Sequence, residues 1–272
     1  MTVTALAAPA PQPTNLVLRP SVTKLSPAEL ATLRSAIAKA LALADERGYQ
    51  FFANWHGVTF GYCRHHEDLF LPWHRAYLYY FELALREVEP TLALPWWDWT
   101  ASPTIPAAYT DAKDPSENEN VLLKAPIKPW GPAKEAPPET FRKVGKAPVH
   151  GPPYDLTYVM AATSYQDFEE RLWEIHDTVH VWVGGTMGNP DWAAYDPLFW
   201  AHHTMVDRIW RIWQHSANGA NPPAGSLDTA LEPRGMRVRE TLEVRSLGYD
   251  YVGTADAVAG TIAAPAGAKA AG

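Results

Sequence analysis

HHEDLFLPWHRAYLYYFE, residues 65–82, places His65, His66 and His74 within one short stretch. After His74, apolar residues return at Leu78, Phe81 and Leu85, the spacing of one helix face, and Pro90 ends the run. A helix opening near His74 is therefore expected. Two later stretches repeat the theme: HDTVH at 176–180 and AHHTMVD at 201–207. A chain that concentrates its imidazoles in this way either packs them in a helical core or binds something with them.

His176 and His180 are four residues apart, so they share a face of the helix expected over 165–183. Two neutral imidazoles on one face form half of a metal site. His202 and His203 follow Asp196-Pro197, a helix cap with proline in the first turn. Neighbours on a helix diverge by about 100°, so one of this pair joins His176 and His180. The other supports the ligands or faces a substrate. In the first half, one of His65 and His66 joins His56 and His74. A single cluster would be read as satisfied core histidines. Two matched sets of three reverse that judgement, since His150 and His215 stand alone.

Imidazole suits zinc, copper, iron and nickel. Di-iron bundles add Glu and Glu-x-x-His ligands, and no Glu-x-x-His falls in these helices. The scarcity of carboxylates in register also argues against a zinc hydrolase. Six neutral ligands suit an ion that cycles through a monovalent state. The reading is therefore two copper ions, with dioxygen as co-substrate.

The chain has 272 residues, 47% of them apolar, enough for one large domain over 1–272. Flexible tails are expected at 1–15 and 255–272. The expected fold is mainly α: a four-helix bundle core holding the metal pair, with long irregular loops and a few short strands. A helix should start at Ser26-Pro27 and bury Leu30, Leu33, Ile37 and Leu41. Residues 101–158 are proline-rich and aperiodic, an irregular excursion between two halves of one site. TLEVRSLGYDYV, 241–252, alternates as a strand would. Trp55, Trp73, Trp182 and Trp200 sit beside the histidines as bulky walls.

The net charge is −7 and no basic run occurs, which excludes nucleic acid as a partner. No apolar run is long enough to cross a membrane. The N-terminus does not read as a signal peptide. With Cys63 the sole cysteine, no internal disulfide forms, and a cytoplasmic setting is the default. Export or copper delivery by a partner protein, and the oligomeric state, stay open.

At these residues the chain resembles the tyrosinase and catechol oxidase family of type 3 copper proteins. The segment 65–82 is similar to the family's first-copper motif, HDTVHVWVGG to its second, DPLFWAHHTMVDRIW to its closing motif and LPWWDWT to a further segment. The likeness covers most of the chain. It implies His56, His65 and His74 as ligands of one copper and His176, His180 and His203 of the other, with His202 as a supporting neighbour. Cys63 stands Cys-x-His to His65, the spacing of a thioether in related fungal enzymes and molluscan hemocyanins, so a Cys63–His65 bond is expected.

The implied activity is oxidation of o-diphenols to o-quinones, with some ortho-hydroxylation of monophenols. Small phenols are the implied substrates. An o-aminophenol oxidase, or a hemocyanin-like dioxygen binder, would use the same histidines. The family's water-orienting position is Asp177, with Glu169 as its partner carboxylate. Pro190 occupies the gate position, and Thr204 is expected near the mouth. Asp207 is expected to support a ligand or to pair with an arginine, Arg208 and Arg211 being nearest in sequence. Arg19 and the triplet Tyr249-Asp250-Tyr251 resemble elements that close the family's catalytic domain, with no shielding domain expected after them.

Overall fold

The computed structural model describes residues 16–57, 60–64, 68–101, 104–114, 118–130, 136–145 and 156–253. Its order is β1 (Val17–Arg19), α1 (Pro27–Ala42), α2 (Tyr49–His56), α3 (Phe70–Val88), α4 (Leu156–Met160), α5 (Tyr165–Val183), α6 (Pro197–Gln214), β2 (Ala230–Leu231), β3 (Met236–Arg237) and β4 (Tyr249–Tyr251). β1 pairs with β4 in parallel, and β2 pairs with β3 antiparallel. The architecture is mainly helical, as expected.

Local chemistry explains the helix starts that the sequence announces. At α1 the Ser26 hydroxyl accepts the Glu29 N–H at 3.2 Å, while the Glu29 carboxylate accepts the Ser26 N–H at 2.7 Å. The Ser164 hydroxyl caps α5 through the Asp167 N–H, and the Asp196 carboxylate caps α6 through the Leu198 N–H. α3 begins four residues before His74 because its cap is borrowed. The Glu169 carboxylate on α5 accepts the Leu71 N–H at 3.2 Å. α2 is a helix the sequence does not announce: all eight of its residues are buried, so it has no polar face to set a period.

The strand expected over 241–252 is largely absent. Val244–Leu247 forms a 3-10 turn whose two buried residues, Val244 and Leu247, stand three apart. Gly248, at φ 86°, then turns the chain, and only Tyr249–Tyr251 pairs as a strand. Within 101–158, the described residues form a 3-10 turn at Ala107–Tyr109, isolated bridges and the start of α4. The excursion is irregular, as read.

Aromatic rings bind the bundle. Phe81 of α3 stacks on Trp200 of α6 at 3.6 Å, and Phe168 of α5 on Trp213 of α6 at 4.0 Å. A buried charge network joins the bundle to the strands. Arg75 on α3 donates to Asp207 on α6 at 2.5 Å, and Tyr249 donates to the same carboxylate at 2.7 Å. Tyr251 also donates to Asp207, and Arg19 pairs with Glu82 at 2.8 Å. Burial opposes the charge on Asp207, but Arg75, Arg19 and the Tyr251 and Tyr249 hydroxyls together outweigh it and hold the carboxyl below its ordinary value. Asp207 thus pairs across elements, not with Arg208 or Arg211. Arg208 lies over the Trp96 ring and Arg211 pairs with Asp250. No helix among the described residues is long and apolar enough to cross a membrane.

Candidate metal centre

Helical spacing sets His176 and His180 on one face of α5, and α6 lays His203 against them. The Nε2 of His203 lies 3.2 Å from the Nε2 of His176 and 3.2 Å from that of His180. Three nitrogens on one ion at about 2 Å stand roughly 3.3 Å apart in a tetrahedral arrangement. The spacing therefore suits a single metal ion. Converging lone pairs in a buried site repel one another unless a proton or cation lies between them. Burial, with His74 and His176 next, pushes His203 well below its ordinary pKa, so a proton is disfavoured and a metal suits the site.

The other half is built from His56 at the end of α2 and His74 on α3. Their ring centroids are 5.8 Å apart, and the Cys63 sulfur lies 3.5 Å from the His74 Nε2. His56, Cys63 and His74 form one candidate metal group and His176, His180, His202 and His203 a second. The halves meet where His74 stacks on His203 at 4.4 Å, with planes 11° apart. His65, and with it the Cys63–His65 thioether, lies outside the described residues. Burial pushes the Cys63 thiol well above its ordinary pKa.

Backbone carbonyls orient the rings. The Nδ1 of His56 faces the Pro190 carbonyl at 3.1 Å, that of His74 the Phe70 carbonyl at 2.9 Å and that of His180 the Met187 carbonyl at 2.8 Å. The Nδ1 of His176 faces the Asp177 carboxylate at 3.0 Å. Donation from Nδ1 leaves each Nε2 with its lone pair toward the centre. His202 is fully buried and stacks on His176 at 5.1 Å, 15° from parallel. It stands beside the convergence that His203 enters.

A cleft of about 150 Å³ reaches the histidines. Its walls are His56, His176, Asp177, His180, Val181, Met187, Gly188, Pro190 and Ala193. Pro190, expected at the gate position, is one of the residues that line the cleft. Two expectations are corrected. Thr204 is fully buried and donates to the Trp200 carbonyl at 2.6 Å, so it is not at the mouth. The helix turns it away from His203. Glu169 does not partner Asp177. Its carboxyl accepts the Leu71 N–H and the Tyr165 hydroxyl at 2.9 Å, and burial pushes it up to about 8. The two groups stand eight positions apart on α5, more than two helical turns, and Glu169 is spent on the start of α3.

Phe199 belongs to the site although no metal-binding side chain marks it in the sequence. Its ring lies 4.1 Å from that of His203 and 4.8 Å from that of His56, a wall between the halves. Its place four residues before His203 was the available signal.

The common central domain of tyrosinase matches residues 46–216. A hemocyanin of Enteroctopus dofleini is 29% identical over 236 residues, covering 79% of this chain and 8% of its own length. A tyrosinase of a Hahella species is 29% identical over 230 residues, covering 70% of this chain and 47% of its own. The chain thus spans less than half the length of these two relatives. Among solved structures, a functional unit of octopus hemocyanin superposes with a TM-score of 0.74 at 27% identity, covering 88% of this chain and 68% of that one. A mushroom tyrosinase superposes at 0.73 and 20% identity, covering 89% and 91%, a likeness of fold. The chain belongs to the tyrosinase family of type 3 copper proteins. That family implies a dicopper centre, and the two histidine groups have the donors to hold one.

Proposed function

We propose that this protein is a dicopper oxidoreductase that oxidises o-diphenols to o-quinones with dioxygen and hydroxylates some monophenols at the ortho position. The observation that carries the reading is the cleft. It opens onto both histidine groups and its volume, about 150 Å³, equals that of a cavity that takes up one benzene ring. His176, His180 and His203 would hold one copper, and His56, His65 and His74 the other. When bound, the copper pair supplies the redox capacity that couples dioxygen to the phenol.

The chain's own residues do the rest. Val181, Met187, Pro190 and Ala193 offer apolar walls to an aromatic ring. The carbonyls of Phe70, Met187 and Pro190 fix three imidazoles, and Asp177 fixes a fourth. Phe199 and Trp73 keep the inner side of the site dry, their rings lying 4.8 Å from His56 and 4.9 Å from His74.

The hemocyanin relatives favour a second reading, reversible dioxygen binding without turnover. Dioxygen uptake by copper-loaded protein separates the two. Sustained, copper-dependent uptake on an o-diphenol supports the oxidase, and a monophenol run separately tests hydroxylation. Protein that holds two coppers but turns over neither phenol would sink the oxidase reading and leave the carrier.

A further inference from the structure

We infer that the groove between α1 and residues 114–121 is a second binding site, one that takes a small organic carboxylate with an apolar body on Arg34. The groove encloses about 610 Å³, within the roughly 300–1,000 Å³ of ligand pockets. It shares no lining residue with the cleft at the histidines, so it stands apart from the metal centre and from any activity there.

The sequence of α1 explains the groove. Leu33, Ala36, Ile37 and Ala40 turn one face of the helix to the core. Pro27, Leu30, Ala31, Arg34, Ser35 and Ala38 recur at three- and four-residue steps on the adjoining face, and all of them line the groove. Leu30, expected in the core, is only half-buried there. Leu25 and Val121 add apolar wall on the other sides.

Arg34 supplies the charge that a carboxylate would meet. Four arginines are buried among the described residues. Arg19, Arg75 and Arg211 pair with Glu82, Asp207 and Asp250. Arg34 is 8% exposed and pairs with no carboxylate among the described residues. Its Nε donates to the Asn120 Oδ1 at 3.3 Å, and its two terminal nitrogens donate to no described residue. A charge held out of water without a partner is costly. A guanidinium fork also matches a carboxylate through two parallel bonds. The fork is preset, because the Asn120 side chain that holds it donates to the Ala108 and Asp111 carbonyls, each at 2.9 Å. Two acids line the groove as well. Glu119 is exposed, so water and salt screen it. Asp114 accepts the Asn118 N–H at 3.0 Å within its own turn. The buried Arg34 acts where screening is weaker, so its attraction outweighs theirs.

Calorimetric titration of the copper-loaded chain with octanoate, acetate and octylammonium tests this. Octanoate should bind roughly tenfold or more tighter than acetate, which lacks the apolar body, and than octylammonium, which carries the opposite charge. R34Q can still donate to Asn120 but carries no charge. It should weaken octanoate by roughly 10–100-fold and leave octylammonium no weaker than in wild type. A31F fills the groove from an exposed position of α1 and keeps Arg34. It should weaken octanoate by roughly tenfold as well.

Equal affinity for octanoate and octylammonium in wild type would overturn the inference, as would no binding of octanoate. So would octanoate binding that either folded variant leaves at wild-type strength, since the carboxylate then sits elsewhere, the copper ions included. If R34Q does not fold, A31F and the order of the three probes in wild type decide.

Discussion

His74 on α3 and His203 on α6 stack ring on ring, 4.4 Å apart, so the two histidine groups share a wall. Removing one ligand should therefore disturb both halves. The copper-free protein should melt lower than the loaded one. At a thousandfold excess of metal over its dissociation constant, binding contributes about 4 kcal/mol. For a domain of this size that is ~8–16 °C in Tm. His203→Ala should abolish most of the difference and drop bound copper below two per chain. Scanning calorimetry with metal analysis checks both. A variant that keeps two coppers and the full shift would remove His203 from the ligand set.

Asp207 ties α6 to α3 through Arg75 and to β4 through Tyr249 and Tyr251, all out of water. Asp207→Asn leaves Arg75 buried without its counter-charge. Breaking one partner of a buried pair costs about 3–5 kcal/mol. Urea unfolding should show a lower midpoint with an unchanged slope. A loss below about 1 kcal/mol would mean that Glu82 and water take over the arginines.

Glu169 gives the folded protein a pH dependence of known sign. Its carboxyl sits at about 8 in the folded state against 4.5 otherwise, chiefly through burial. Below pH 4.5 both states hold the proton. Between the two values the folded state alone holds it, so stability falls as pH rises through that window. Glu169→Gln can still accept from Leu71 and Tyr165 but cannot ionise. Its stability should decline less than that of wild type between pH 5 and pH 8 in about the same buffer series, by up to a few kcal/mol. Parallel curves for the two proteins would place an ionised carboxylate at Glu169 in the folded state.

Gly185, at φ 59°, holds the turn that leads to Met187, whose carbonyl orients His180. A Cβ at Gly185 would stand 2.2 Å from the Phe141 carbonyl oxygen. Gly185→Ala should cost about 1–3 kcal/mol in backbone strain. It should also weaken copper binding at the second half by roughly 10–100-fold, as losses of orienting groups do. Metal titration followed by thermal melting separates the two effects. Unchanged copper affinity in a destabilised protein would mean that the His180–Met187 bond survives the strain.

Much of this site could be read along the chain, because its chemistry is local. Four-residue spacing puts His176 and His180 on one face, and the caps Ser26 and Asp196 mark helix starts through bonds only two or three residues long. The charge balance and lone cysteine likewise need no fold to be read. What the sequence could not decide depends on groups distant in the chain. Glu169 is 98 residues from the Leu71 amide that it caps, and this contact both starts α3 early and takes Glu169 away from Asp177. α2 is buried on every side, so no polar face betrays it. Thr204 adjoins His203 in sequence, yet the helix turns it into the core. Spacing along one helix is set by backbone geometry alone. Which side chain of a neighbouring pair meets a third element is set by packing, and that exists only once the helices have come together.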